Sequence, residues 1–315
     1  MKAACRQPRV SIVMSVYNGG EFLAEAIESI LSQTFGDFEF IIIDDGSTDS
    51  SEKIIKDFDD PRVRLISRGN KGLTYSLNEG LKLARGGYIA RQDADDISLP
   101  TRLEKEVTYL DSHPDVGLVG TNYIVMDETG KELVKTNMFN HPDDLSLALL
   151  ITNQYGHGSV MFRRDLLPTI KGYDADVGTV EDYDLWIRIS CISKIANLEE
   201  HLYKWRKVKT SISHSGEEIN IREALAIGDK AFGYFLNHRN RYRFFSFNRS
   251  GKLYRERKSS LYCNLAYKAK SRKKPLLALH FMLMALMFKP RLKRNYKSLL
   301  RVLKPGIGNW EPEPL

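Results

Sequence analysis

Three times in the first hundred residues an apolar run stops abruptly in polar sequence. Val10 to Val16 runs into Tyr17, Asn18, Gly19 and Gly20, and Phe38 to Ile43 runs into Asp44, Asp45, Gly46 and Ser47. The third run, Tyr88 to Ala90, leads into Arg91, Gln92, Asp93, Ala94, Asp95 and Asp96. Nearly continuous Val/Ile/Phe runs of this length, separated by helix-like stretches, predict parallel strands buried on both faces. Ligands of open α/β sheets sit beyond the carboxyl ends of the strands. The three polar exits are therefore expected to converge on one pocket holding Tyr17, Asp44, Asp45, Asp93 and Asp95.

The intervening segments fit that layout. Between the first two runs, Phe22, Ala26, Ile27, Ile30 and Leu31 share one face at helical spacing, predicting a helix within residues 21–35. A second helix is expected to start near Asp49 and a third to span about 74–84, where Leu77, Leu81 and Ala84 recur. Pro100, just before the helix-like stretch 101–111, stands where proline favours a helix start. The predicted order is β-α-β-α-β-α-β.

Asp93, Asp95 and Asp96 place three carboxylates within four positions, a cluster that repels itself unless a cation lies among it. A hard divalent metal on oxygen ligands is the expected occupant. Three cysteines, an odd number without metal-ligand spacing, oppose a disulfide scaffold or zinc site and indicate a reducing compartment. Residues 1–9 hold no apolar core of a secretory signal, so cytoplasm is the expected location. No Gly-x-Gly-x-x-Gly follows the first strand, which opposes a dinucleotide-dependent dehydrogenase. A receiver-type phosphoacceptor would share the strand-end aspartates but needs little more than a third of the 315 residues.

Charge divides the chain. Residues 1–214 carry 25 Lys and Arg against 33 Asp and Glu, whereas residues 215–315 carry 22 against 7. The expected organisation is a catalytic domain over 1–214 and a basic helical region over 215–315. Within the latter, the apolar stretch 276–288 is bracketed by Arg272, Lys273 and Lys274 and by Lys289, Arg291, Lys293 and Arg294. Thirteen residues fall short of the roughly 20 that span a bilayer. Two readings stand: a helix lying on an anionic membrane surface, giving a peripheral protein at the inner face of the cell membrane, or a buried helix with solvated ends. Nucleic acid is not an expected partner, because no nucleic-acid motif accompanies the charge.

Five segments together resemble family 2 glycosyltransferases of the GT-A fold: residues 10–18 (Val-Ser-Ile-Val-Met-Ser-Val-Tyr-Asn), 43–49 (Ile-Asp-Asp-Gly-Ser-Thr-Asp), 70–78 with Asn70, Lys71, Gly72, Leu73, Leu77 and Asn78, 90–96 (Ala-Arg-Gln-Asp-Ala-Asp-Asp) and 181–186 (Glu-Asp-Tyr-Asp-Leu-Trp). Each motif alone is weak, but five in order over residues 8–214 are specific. The resemblance implies a Rossmann-like, mainly parallel mixed sheet flanked by helices, here with a basic helical C-terminal extension. It also implies inverting transfer from a nucleoside-diphosphate sugar to an acceptor hydroxyl with Mg²⁺ or Mn²⁺.

Residue roles follow from the same resemblance. Asp95 would be the principal metal ligand, and Asp93 would contact the ribose or share the metal. Asp96 would orient these two or cap the next turn. Tyr17 and Asn18 would lie at the nucleotide, Tyr17 beside the base, with Asp45 and less directly Asp44 reading it; an aromatic face plus a carboxylate acceptor suits uracil. Turn formation is the competing reading for both aspartates. Asn70, Lys71 and Arg68 would contact the nucleotide, although solvated loop charge accounts equally well for Lys71 and Arg68. Asp182 would be the general base, with Glu181 as its neighbour or an acceptor contact; acids at a helix start also complement its dipole. His157 would lie on the acceptor side or be structural, and Trp186 would be core or a sugar platform. One departure is Val208, where relatives often carry a histidine, a role open here to His214. The expected donor is a UDP-sugar and the acceptor a glycan or lipid-linked glycan of cell-surface polysaccharide synthesis. The alternative is a catalytically inactive nucleotide-sugar-binding subunit of such an assembly.

Overall fold

A computed structural model describes residues 7–208 and, beyond them, residues 227, 259, 262–266, 269, 278, 279, 281–283 and 285. The chain divides into two compact units, Met1–Leu145 with Gln154–Ile227, and Ser146–Asn153 with Gly228–Leu315.

The first unit opens with β1 (Val10–Val16), α1 (Leu23–Leu31), β2 (Phe38–Asp44), α2 (Ser51–Lys56), β3 (Val63–Ser67), α3 (Leu73–Leu83) and β4 (Tyr88–Arg91). This is the predicted alternation, and every residue of β1 except Ser15, and all of β2, is buried. Pairing is parallel throughout, Val10 beside Phe38 and Tyr88, and Phe40 beside Val63. One face of α1 buries Leu23, Ala26, Ile27 and Ile30, each large side chain contributing about 2 kcal/mol when fully withdrawn from water. Its face is the predicted one, but the helix is shorter at both ends than the apolar pattern implied.

The chain beyond β4 holds the helix expected over about 101–111 and the one expected to begin at Glu181, whereas its strands were not individually predicted. It comprises β5 (Ile97–Ser98), α4 (Arg102–Ser112), β6 (Val116–Met126), β7 (Glu132–Lys135), α5 (Pro142–Ala148), β8 (Val160–Arg163), α6 (Leu167–Ile170), α7 (Glu181–Ser190) and β9 (Lys194–Arg206). Strand order is β3-β2-β1-β4-β8-β6-β9-β5, with β7 on β6. Inserted antiparallel between β4 and β6, β8 converts the parallel half into a mixed sheet, while β9 runs parallel to β6. Chain order alone could not show that a strand 70 residues downstream becomes the neighbour of β4.

In the second unit, Ala278, Phe281, Met282 and Ala285 are buried and Leu283 is half exposed. Phe281 lies 6.2 Å from Tyr262 between ring centres, and Ser259 Oγ donates to the Ala285 carbonyl at 3.1 Å. These described residues of the apolar stretch pack within the second unit. The flanking cations lie outside the described residues, and among the described residues no helix is long and apolar enough to cross a membrane.

Candidate active site

The exits of β1 and β2 are tied to each other before they can meet a ligand. Asn18, held at φ 53°, accepts the Thr48 amide on its side-chain oxygen at 2.8 Å, and its own amide donates to Ser47 Oγ at 3.0 Å. Asp44 accepts from the Ser47 amide at 3.1 Å and from the Ser67 hydroxyl at 3.2 Å, closing the turn. Asp45 accepts the amides of Lys71 and Gly72, both at 2.8 Å, and ion-pairs with Arg68. Arg68 also pairs with Glu79 at 2.7 Å. Gly46, at φ 80°, lets this loop close: a Cβ there would stand 2.7 Å from the Asn70 amide. Turn formation, the competing sequence reading, thus describes what Asp44 does here, and Asp45 clamps residues 68–72. Asn70 and Lys71 are exposed on that loop, and Tyr17 is 55% exposed at its mouth.

The turn after β4 is built differently. Asp96 is buried and accepts the Tyr203 hydroxyl at 2.9 Å and the Arg206 amide at 2.7 Å, which fastens β9 to the turn. Asp93 ion-pairs with Arg91, which is 1% exposed. Burial alone would raise the Asp93 pKa, but Arg91 brings it below the ordinary carboxylate value. Among the described residues Asp95 forms no ion pair, and burial followed by the Asp93 charge pushes its pKa up to about 6 against the weaker pull of Arg206 and Arg91. The three carboxylates therefore do not converge, and among the described residues no group of three His, Cys, Asp or Glu is arranged to hold a metal. Asp95 and one oxygen of Asp93 still offer an anionic, oxygen-only pair with surplus charge, which fits a hard divalent cation.

Arg91 joins His157 to a residue the sequence reading did not single out, Tyr173. The Arg91 Nε donates to His157 Nε2 at 3.0 Å, and its Nη1 donates to the Val13 carbonyl at 2.8 Å. Since Arg91 can only donate, His157 Nε2 is a bare acceptor. Burial, then Arg91, lowers the His157 pKa to about 3, so the ring is neutral. The Tyr173 hydroxyl lies 3.0 Å from the same nitrogen. Asn78 holds the Tyr173 backbone at both ends, at 2.9 Å each way. His157 thus accepts a hydrogen bond from the Arg91 guanidinium in this cluster. Gly158 is required beside it, because a Cβ would fall 1.7 Å from the Tyr203 oxygen.

The remaining wall is the start of α7. Glu181 is buried, and burial followed by Asp182 pushes its pKa up to about 7. Arg91 and Asp93 also act on Glu181, so the two acidic sites share one electrostatic neighbourhood. Half-buried Asp182 accepts the Tyr183 amide at 2.6 Å, and Asp184 instead pairs with Arg188 at 2.6 Å within the helix. Trp186 is fully buried against Tyr155, His157 and Phe162, which makes it core and not a sugar platform. His214 lies outside the described residues.

Residues 11–169 match the family described as glycosyl transferase family 2. The chain belongs to this family. EpsE of Bacillus subtilis (strain 168), whose name describes a glycosyltransferase, is 38% identical over 227 residues, covering 70% of this chain and 81% of EpsE. The amylovoran biosynthesis glycosyltransferase AmsE of Erwinia amylovora is 35% identical over 62% of this chain and 75% of its own length. The O-antigen biosynthesis glycosyltransferase WbnJ of Escherichia coli is 34% identical over 62% and 79%. Among solved structures, S. aureus TarS 1-349 in complex with UDP matches with a TM-score of 0.58 at 17% identity, covering 92% of this chain and 91% of that one. The family 2 member described here therefore has the GT-A fold predicted for it.

Proposed function

We propose that this glycosyltransferase moves a sugar, with inversion, from a nucleoside-diphosphate sugar to a hydroxyl of a glycan or lipid-linked glycan in cell-surface polysaccharide synthesis. The observation that carries the reading is the pairing of two acidic sites around Arg91: Asp93 and Asp95 on the turn after β4, and Glu181 and Asp182 at the start of α7. Leaving-group charge belongs at the first and acceptor activation at the second. Asp182 takes the acceptor hydroxyl proton, the acceptor oxygen attacks the anomeric carbon, and the carbon–oxygen bond to the diphosphate breaks with its electron pair leaving on the diphosphate. Asp95, with one oxygen of Asp93, would hold Mg²⁺ or Mn²⁺, which when bound supplies charge neutralisation at that leaving group. Tyr17, Asn18 and the loop of Asn70 and Lys71 line the donor side, and Asp45 serves the nucleotide by fixing that loop.

Uridine is the first base to test, since the TarS structures hold UDP and UDP-GlcNAc. The names of AmsE and WbnJ support a polysaccharide product. Purified protein with Mn²⁺ is incubated with UDP-, dTDP-, GDP- and CMP-sugars, and nucleotide release is measured beside Asp95→Ala. Metal-dependent release from one donor, absent in the variant, is the expected result. No release from any donor, even with cell-derived lipid-linked glycan added, combined with tight donor binding by calorimetry, would replace the transferase reading with that of a binding subunit.

A further inference from the structure

The geometry points to Arg91 as a positioning residue that holds one Asp93 oxygen away from the metal, so that the carboxylate turn binds a divalent cation weakly until the donor diphosphate brings its own charge. The inference rests on the reading of Asp93 and Asp95 as the metal site.

Arg91 is unusual in being a fully buried guanidinium whose three nitrogens are all committed. Nη1 donates to the carbonyls of Val13 at 2.8 Å and Gln92 at 2.5 Å, Nε to His157 at 3.0 Å, and Nη2 to Asp93. Its own backbone is fixed as well, because Arg102 Nη2 donates to the Arg91 carbonyl at 2.8 Å. A cation so anchored cannot swing aside when a metal arrives. Asp93 can then offer a metal only its second oxygen, and the incoming dication meets a fixed positive charge two positions from its ligand. The neutral imidazole of His157 contributes to this arrangement, since it accepts from Arg91 without adding a second positive charge. Through His157 the same guanidinium reaches Tyr173, so one side chain sets the carboxylate turn against the acceptor-side wall.

The test uses the full-length chain and Arg91→Met, which keeps volume and removes charge and donors. Binding of Mn²⁺ alone, without nucleotide, is measured by electron paramagnetic resonance and calorimetry, and donor turnover is measured in parallel. The variant is expected to bind Mn²⁺ about ten-fold more tightly than the unaltered protein, while kcat falls about 100-fold with little change in donor KM. Removing a merely structural arginine would not strengthen metal binding. Unchanged or weaker Mn²⁺ affinity in a folded Arg91→Met would overturn this inference and leave the metal reading intact. No Mn²⁺ binding by either protein, with or without donor, would overturn both. If Arg91→Met does not fold, Arg91→Met/Asp93→Asn, which restores charge balance, becomes the deciding variant. Recovery of the folded state supports the pairing, and failure to recover it makes Arg91 a scaffold residue and overturns the proposal.

Discussion

The turn after β2 and the turn after β4 each carry neighbouring aspartates at the end of a parallel strand, yet they treat charge in opposite ways. Asp44 and Asp45 are each held by donors at short range: three amides, one hydroxyl and the Arg68 guanidinium. Half-buried Asp95 and buried Glu181, by contrast, form no ion pair among the described residues, and burial together with a neighbouring carboxylate raises their pKa values to about 6 and about 7. The satisfied turn is a piece of construction. The unsatisfied one stores electrostatic free energy that a ligand can release. Two acids in succession look alike in a sequence, and only their partners distinguish these cases.

The sharpest way to break this contrast is to neutralise the uncompensated side. Asp95→Ala is expected to lower transfer by about 1,000-fold or more while leaving the thermal midpoint unchanged or raised, because a repelled carboxylate is removed. A drop in both would place Asp95 with the structural acids. Asp182→Asn is expected to lower kcat by 100- to 1,000-fold with donor binding retained, as loss of a general base would; calorimetry with the donor and steady-state kinetics separate the two, and unchanged transfer would sink the assignment.

On the satisfied side the expected damage is to stability first. Asp45→Ala leaves the Lys71 and Gly72 amides without their carboxylate acceptor and removes one of the two ion pairs of Arg68, and is expected to cost about 3 kcal/mol in a denaturant titration, with donor KM rising as the 68–72 loop loosens. Glu181→Gln sharpens the contrast through pH. Because the folded state raises this pKa from 4.5 to about 7, stability that is full below about pH 4.5 declines as pH rises and is lost above about 7. The magnitude is up to about 3 kcal/mol. The variant should show a flatter stability profile across that window. The smallest effect is expected from Glu106→Gln. Glu106 is fully buried 3.4 Å from Arg102, and burial pushes its pKa to about 8, so it is already neutral at pH 7. Amide substitution should therefore change stability at pH 7 by less than about 1 kcal/mol.

The parallel half was legible because its signals are local. The whole of β1 coincides with the predicted run, and β2 extends it by one residue, Asp44. The exits named from sequence do lie at the ends of those strands. What could not be read were residues whose meaning comes from distant partners. Arg91 lay within a quoted motif without a role, since its acceptor His157 is 66 positions away. Tyr203 and Arg206 reach Asp96 from more than 100 positions downstream. The carboxylate cluster suggested a cation, and the structure answers part of that demand with an arginine from the same strand. Trp186 and Asp184 sat in the motif proposed to hold the general base, but their own contacts assign them to packing and to helix pairing.

The bond from the Arg206 amide to Asp96 spans 110 positions and has a consequence for synthesis. A ribosome adding about 5–20 residues per second exposes β1 to β4 well before β9 exists, so the nascent chain can assemble its parallel strands while the acidic turn still lacks its anchor. Only after residue 206 emerges can Asp96 be withdrawn from water with its partners in place. The acidic turn after β4 is thus among the last parts of the first unit to acquire its shape, and a chain released short of β9 would carry Asp93, Asp95, Asp96, Glu181 and Asp182 without the bonds that fix Asp96.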